Sequence, residues 1–168
     1  MLTLASELEV LIATALWLLR NGWRVEAISI AKGRGLPPVD QQKEEIRKAF
    51  NADNAPFDQR IFRPEGSDII ASSHEGIWKI ECKGLREGRA QTHRNNFDRA
   101  VASVMSYFDT PQTRLGLALA NDYLWVYNFS KRLPQTLRAA TNLWVFLLEN
   151  GTIYPYEPTE ELPFPGAV

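Results

Sequence analysis

The fold is decided by residues 66–83, which read Gly66-Ser67-Asp68-Ile69-Ile70-Ala71-Ser72-Ser73-His74-Glu75-Gly76-Ile77-Trp78-Lys79-Ile80-Glu81-Cys82-Lys83. Apolar runs flank a short polar segment, a pattern typical of two strands joined by a turn. We therefore predict strands over residues 61–71 and 77–83 that pair as an antiparallel hairpin. With the turn centred between His74 and Glu75, Asp68 lies directly opposite Glu81.

The pairing of Asp68 with Glu81 predicts a binding site for a cation. Directly opposed side chains lie about 5 Å apart, and like charges at such a pair destabilise a sheet unless something offsets them. Because strand side chains alternate between faces, Lys79 and Lys83 lie on the same face of the strand as Glu81. Glu81 and Lys83 are about 7 Å apart along the strand, so a carboxylate could hold a metal while the ammonium reaches a nearby water or phosphate.

The sequence Asp68, a turn, then Glu81-Cys82-Lys83 resembles the metal-binding core of the PD-(D/E)xK nucleases. Ser67 replaces the proline of the family name, a position that varies widely in that family. The resemblance extends from the first helix to about Phe129 by order of elements. It implies an α/β fold, a restriction-endonuclease-like α/β/α sandwich with a central mixed sheet, in the order αβ(α)ββαβ plus C-terminal strands. The implied activity is that of a Mg²⁺-dependent endonuclease or DNA-processing nuclease.

The resemblance also implies roles for single residues. Asp68, Glu81 and the backbone carbonyl of Cys82 would hold Mg²⁺ or Mn²⁺, the ions that hard oxygen ligands select. Lys83 would position or activate the attacking water. A glutamate on the first helix often completes the family's site, and we predict Glu9 for this catalytic and metal-binding role.

Glu7 remains the alternative to Glu9. The segment Ser6-Glu7-Leu8-Glu9 also matches a capping box, in which Ser6 and Glu9 satisfy the free amides of a helix start. A helix that starts one turn earlier, at Thr3, would leave Glu9 free for the metal.

Contact with DNA, the expected partner, is predicted to be local because the formal net charge of the chain is only −1. The predicted nucleic-acid-binding residues are Lys32 and Arg34, in a glycine-containing loop, and Arg94 and Arg99, on a long helix. The alternative for such a cluster of basic residues is a solvated face. Whether two chains pair as a homodimer to cut two strands is left open by the sequence.

Several other classes of site are disfavoured by composition. With two histidines and one cysteine, a zinc hydrolase is not expected, and without a glycine-rich phosphate loop neither is a nucleotide cofactor. Cys82 is predicted to lie in the core, and His74 and His93 at the surface. The single cysteine is typical of a cytoplasmic protein. The apolar stretch 10–19 is too short for a membrane span, and we identify no targeting segment.

The chain is expected to form a single nuclease-like domain over residues 1–157, followed by an irregular tail over 158–168. Helical periodicity and stop signals predict a first helix that ends at Asn21-Gly22. The other predicted elements are a strand over 23–30, a helix over 40–52 capped by Asp40, a helix that contains 97–108, strands over 115–120 and 123–129, a short helix over 134–140, and a hairpin of 143–148 with 152–156 around Asn150-Gly151.

Two other functions are compatible with the same sequence. The first is a catalytically silent nuclease-like domain, a DNA-binding or regulatory subunit in DNA rearrangement or mobile-element control. The near-neutral charge favours it, whereas the intact Asp68, Glu81 and Lys83 triad opposes it. The second is a structural interaction domain with residues 143–148 as its interface strand, although we predict that this apolar run is core.

Overall fold

The computed structural model of the protein describes residues 5–33, 35–85 and 89–163. None of the helices within these ranges is long and apolar enough to cross a membrane. The elements in chain order are α1 (Glu7–Arg20), β1 (Arg24–Ile28), α2 (Val39–Ala52), a 3₁₀ turn (Gln59–Ile61), β2 (Ile69–Ser73), β3 (Gly76–Lys83), α3 (Ala90–Ser106), β4 (Thr113–Ala120), α4 (Tyr123–Arg132), α5 (Gln135–Thr141), β5 (Leu143–Glu149) and β6 (Thr152–Tyr156).

The strands form one mixed sheet in which their spatial order is the order of the sequence, β1 to β6. The pairs β1–β2, β2–β3 and β5–β6 are antiparallel. The pairs β3–β4 and β4–β5 are parallel, and helices connect their strands. Such crossovers place helices against the faces of the sheet.

Helices pack on both sides of this sheet, which confirms the predicted α/β class at the level of a layered mixed sheet. On one side, the ring of Trp17 in α1 lies 5.2 Å from that of Phe146 in β5, which is itself 5.3 Å from Trp78 in β3. On the other side, α3 packs against β3 and β4, and its Phe97 contacts Phe129 of α4 at 5.1 Å. These aromatic contacts join the helices to a continuous buried core.

The predicted hairpin of β5 and β6 is confirmed. Its two turn residues, Asn150 and Gly151, have φ angles of 49° and 77°. Both values lie in the left-handed region that a tight two-residue hairpin turn requires, and asparagine and glycine adopt it most readily. The apolar run 143–148 is buried except for the partly exposed Trp144, so it is core, as predicted.

The prediction of a strand over residues 123–129 is wrong, because this segment belongs to the helix α4. Asp122 caps the helix by accepting a hydrogen bond from the Leu124 N–H at 2.8 Å. Trp125 and Phe129 are buried, whereas Tyr123 and Tyr127 are exposed, which is the spacing of a helix with one buried face. The aromatic composition favours a strand locally, but packing against α3 decides the conformation.

The start of β2 is also later than predicted, at Ile69 instead of residue 61. Residues 59–61 form a 3₁₀ turn whose cap, Asp58, accepts a hydrogen bond from the Arg60 N–H. The following residues form only an isolated bridge, from Phe62 to Ile28 of β1. Pro64, which lacks a backbone donor, lies in this segment and is poorly suited to a paired strand.

The cap predicted for α2 is wrong by two residues. Pro38 occupies the cap position, with a φ of −54°, and its side chain makes no capping hydrogen bond. Asp40 lies inside the first turn instead, where a carboxylate is favourable near the positive end of the helix dipole.

The chain beyond β6 forms neither helix nor strand over residues 157–163. The buried Arg138 of α5 donates a hydrogen bond to the carbonyl oxygen of Glu157 at 3.2 Å and another to that of Glu160. These bonds hold the start of the predicted tail against α5. Residues 164–168 of that tail lie outside the described residues.

Candidate functional site

The β2–β3 hairpin has the predicted register. Ser73 pairs with Gly76, and Ile69 with Ile80 at the other end of the ladder. Asp68 follows directly beyond this last pair and therefore lies beside Glu81. The position of the turn, read from the sequence, was sufficient to determine which residues meet.

Asp68 is held between two strands by its backbone and its side chain. Its N–H donates to the carbonyl of Ile80 at 3.0 Å, and its carbonyl accepts from the Ser29 N–H at 2.9 Å. One carboxylate oxygen, Oδ2, accepts a hydrogen bond from the backbone N–H of Cys82 at 2.7 Å. The Asp68 side chain thus accepts a hydrogen bond from a backbone N–H of β3 at the point where the regular pairing with β2 ends.

Glu81 has only 5% of its surface exposed. Its Oε1 lies 2.8 Å from the Nζ of Lys83. Its Oε2 accepts a hydrogen bond from the phenol of Tyr107, the residue that follows α3. Lys83 Nζ also lies 3.7 Å from Oε2 of Glu7, in the first turn of α1. Polar side chains from β3, from the start of α1 and from the end of α3 thus meet at the end of β3.

The charges of this cluster are unbalanced, with three carboxylates around one ammonium. Burial and, next, the charge of Glu81 raise the pKa of Asp68 from 3.8 to about 7, although Lys83 and the Cys82 N–H oppose this. Burial lowers the pKa of Lys83, but the charges of Asp68, Glu7 and Glu81 outweigh it and raise the pKa overall. The lysine therefore stays charged at neutral pH.

Gly84 explains why Glu7 reaches the cluster. A Cβ atom on Gly84 would lie 2.1 Å from the backbone nitrogen of Glu7 and 2.4 Å from the carbonyl carbon of Ser6. Next along the chain, the Leu85 N–H donates to the carbonyl of Ala5 at 2.9 Å. Only glycine permits this approach, which fixes the start of α1 against the end of β3.

We expect Gly84→Ala to lower the free energy of unfolding by about 1–3 kcal/mol or more, because the added methyl group would overlap backbone atoms that cannot rotate away. Chemical denaturation measures the change. Gly33→Ala is the matched control, since its Cβ would meet only a side-chain carbon of Leu36 at 3.7 Å. Equal stability of the two variants would show that α1 and β3 separate easily at this point.

The predicted position of Glu9 beside the metal site is wrong. Its Oε2 accepts a hydrogen bond from the Ser6 N–H at 2.6 Å, and its own N–H donates to Ser6 Oγ at 3.2 Å. This is a complete capping box. The helix begins at Glu7 with Ser6 as its N-cap, so Glu9 caps the helix and Glu7, the alternative, lies beside Lys83.

Tyr107 was not identified from the sequence as a site residue, because it lies on the apolar face of the helix that was predicted to contain residues 97–108. The one feature of the sequence that could have indicated a polar contact was the phenol itself. A tyrosine at the end of an amphipathic helix has a polar hydroxyl group that requires a hydrogen-bond partner when it is buried. Gly84 had a comparable signal, a glycine at the end of a strand, which can mark a close approach of backbones.

Of the basic residues predicted to bind nucleic acid, the three that the structure describes do not join this cluster. Lys32, Arg94 and Arg99 are exposed, and Arg34 lies outside the described residues. Arg94 and Arg99 precede Tyr107 by 13 and 8 positions, which corresponds to about 20 and 12 Å along a helix axis. His93 of the same helix is buried, so its predicted surface location is wrong.

A cavity of about 220 Å³ opens beside Asp68 and Glu7. Its wall includes residues of the connection between β1 and α2, among them Ser29, Ala31 and Leu36. A single water requires only about 10–15 Å³ of such volume. The two carboxylates can therefore be reached by water and by small ions.

The oxygen ligands of this cluster are chemically suited to a hard divalent cation, although the ammonium of Lys83 now lies beside Glu81 and Glu7. Asp68, Glu81 and Glu7 offer carboxylate oxygens, which Mg²⁺ and Mn²⁺ prefer. Cys82 turns its N–H toward Asp68, and a strand residue presents its carbonyl to the same side. Within residues 5–33, 35–85 and 89–163, no three His, Cys, Asp or Glu side chains are arranged to hold a metal ion as they stand.

Comparisons of the chain with family models, with curated proteins and with solved structures find no match.

Proposed function

We propose that the protein is a metal-dependent nuclease that hydrolyses phosphodiester bonds in DNA. The observation that carries the proposal is the convergence of Asp68, Glu81 and Glu7 around Lys83, with an excess of negative charge. A cation would relieve the repulsion that raises the pKa of Asp68. The resemblance of residues 66–83 to the PD-(D/E)xK core supports DNA as the substrate and a restriction-endonuclease-like arrangement of the sheet.

In this proposal Asp68, Glu81, the Cys82 carbonyl and Glu7 hold Mg²⁺ or Mn²⁺. The ion would lower the pKa of a bound water and neutralise charge on the phosphate. In the hydrolysis that the ion would support, the oxygen of this water would bond to phosphorus as the ester bond to the leaving oxygen breaks. The proton of the water would pass to solvent, and the leaving oxygen would take up a proton from solvent. Asp68, which accepts a hydrogen bond from the Cys82 N–H, lines the cavity together with Glu7.

Lys83 acts in this proposal as a charged hydrogen-bond donor. Because the surrounding carboxylates raise its pKa, the ammonium keeps its proton at neutral pH and is not available as a base for the water. Its place beside Glu81 suits contact with the attacked phosphate, where negative charge develops. To reach it, Nζ must leave the Glu81 carboxylate when the metal binds.

A cleavage assay on linear, branched and flapped DNAs with Mg²⁺, with Mn²⁺ or with chelator tests the proposal. We expect cleavage only with metal, and none from Glu81→Gln, which keeps the size of the side chain but removes a ligand charge. An RNA panel run in parallel tests the choice of nucleic acid. Cleavage in chelator, or equal cleavage by wild type and Glu81→Gln, would contradict a metal site at Glu81.

Glu7 and Glu9 are expected to respond differently to substitution. Glu7→Ala should weaken metal binding and slow cleavage, because Glu7 is the carboxylate beside Lys83. Glu9→Ala should lower the free energy of unfolding by about 0.5–1.5 kcal/mol, because the Ser6 N–H loses its hydrogen bond to the Glu9 carboxylate, and leave cleavage by the folded protein unchanged. Initial rates across a titration of metal measure the effect of Glu7→Ala, and denaturation curves measure that of Glu9→Ala. Loss of activity in Glu9→Ala alone would restore Glu9 as the site residue.

A second candidate function is a nuclease-like domain that binds DNA without cutting it. The ion pairs of Lys83 with Glu81 and Glu7 favour this alternative, because they already neutralise part of the charge that a metal would neutralise. Such a domain would bind DNA in chelator, show no metal-dependent rise in melting temperature and leave every substrate of the panel intact.

A further inference from the structure

The phenol of Tyr107 makes a hydrogen bond outside its own helix, to Glu81 of β3. The residue follows the last turn of α3, and its ring lies beside Gly66, where an added Cβ would be 3.7 Å from a ring carbon. The phenol extends from there to donate to Oε2 of Glu81, and the Ser103 side chain lies within hydrogen-bonding reach of it.

This hydrogen bond matters because Glu81 is buried. With 5% of its surface exposed, the carboxylate has little water to replace a lost donor. Its oxygens have separate partners, Lys83 at Oε1 and Tyr107 at Oε2. Lys83 has a flexible stem and lies near Glu7 as well, whereas Tyr107 has a rigid ring and only two side-chain torsions.

We propose that Tyr107 is a positioning residue, which holds the Glu81 carboxylate in one orientation so that Oε1 is presented to a divalent cation when Lys83 moves aside. This role rests on the proposed function, because it concerns the same metal site. Partners that orient a metal ligand commonly change metal affinity by about 10- to 100-fold when they are removed.

The test is Tyr107→Phe, which removes the hydroxyl and keeps the ring beside Gly66. The melting temperature is followed while Mg²⁺ or Mn²⁺ is titrated into the protein. We expect the midpoint of the metal-dependent rise to move to about 10- to 100-fold higher metal concentration. Cleavage by Tyr107→Phe should then recover toward the wild-type rate at saturating metal, because the variant retains every proposed ligand.

Tyr123→Phe is the matched control, since Tyr123 is 56% exposed and lies on α4. Its midpoint should equal that of wild type. A midpoint for Tyr107→Phe within twofold of wild type, even with a lower melting temperature in chelator, would mean that Tyr107 only packs. That result would overturn its positioning role and leave the proposed function standing. If wild type itself shows neither a metal-dependent rise nor metal-dependent cleavage, the proposed function and the role of Tyr107 are both overturned.

Discussion

Replacing Lys83 with alanine is expected to slow DNA cleavage by a factor of about 100 to 1,000, which is typical when one group that stabilises transition-state charge is removed. Metal-dependent stabilisation should be retained. The reason is that Lys83 contributes charge and a hydrogen-bond donor, whereas the proposed ligands are the oxygens of other residues. Its removal also leaves Glu81 and Glu7 without their neighbouring cation, so the affinity for Mg²⁺ should rise.

Two measurements separate these effects. Single-turnover cleavage at saturating Mg²⁺ measures the chemical role, and the melting temperature at increasing Mg²⁺ measures metal binding. Lys79→Ala is the matched control, because Lys79 lies on the same face of β3 and pairs with Asp109 at 2.6 Å, outside the cluster. Its cleavage rate should equal that of wild type. Undiminished cleavage by Lys83→Ala would refute the role of the ammonium.

Asp68→Asn is expected to make the metal-free protein more stable above pH 7, by up to about 4 kcal/mol, because the pKa of Asp68 rises from 3.8 to about 7 on folding. Below the unfolded pKa, both states carry the proton and the group costs nothing. As the pH rises from about 4 to about 7, the unfolded state releases a proton that the native state retains, so wild-type stability falls. Asparagine does not titrate, and its amide oxygen can still accept from the Cys82 N–H.

The same substitution should abolish the gain in stability that metal confers. A ligand at 100 times its dissociation constant stabilises a protein by about 2.7 kcal/mol, and Asp68→Asn removes a proposed ligand. Thermal melts of wild type and Asp68→Asn between pH 4 and pH 8, with chelator and with Mg²⁺ or Mn²⁺, measure both effects. A wild type without a metal-dependent shift, together with a less stable Asp68→Asn, would make Asp68 a structural residue.

Asp109→Asn provides a control of opposite sign. The hydrogen bond from Lys79, followed by that from Thr113, lowers the pKa of Asp109 to about 2. Its contribution to wild-type stability is therefore present above the unfolded pKa of 3.8 and is lost as the pH falls toward 2. The two aspartates should change the dependence of stability on pH in opposite directions.

Much of the candidate site was predictable from sequence because a hairpin is a local structure. Its register depends on the position of the turn, and strand alternation then places Asp68, Glu81 and Lys83 together. The predicted pairing agrees with the observed ladder, in which Ile69 meets Ile80. The Asn150-Gly151 turn was predictable for the same reason, since local backbone angles determine it.

The conformation of residues 123–129 was not predictable in this way, because aromatic residues suit strands and buried helices alike. Contact of Phe129 with Phe97 selects the helix. The choice between Glu7 and Glu9 likewise depended on where α1 begins. Ser6 could cap the helix, but a start at Thr3 was equally compatible with local sequence.

By itself, the sequence determined the hairpin, its register and the polar face that bears Asp68, Glu81 and Lys83, because each follows from residues close together along the chain. Only the tertiary structure decided that Glu7 joins them and that Tyr107 binds Glu81. These contacts connect α1 and the end of α3 to β3, and they depend on the packing of helices against the sheet. The close approach at Gly84 places the start of α1 beside the end of β3. The periodicity of the sequence does not predict which side chain of α1 will lie there.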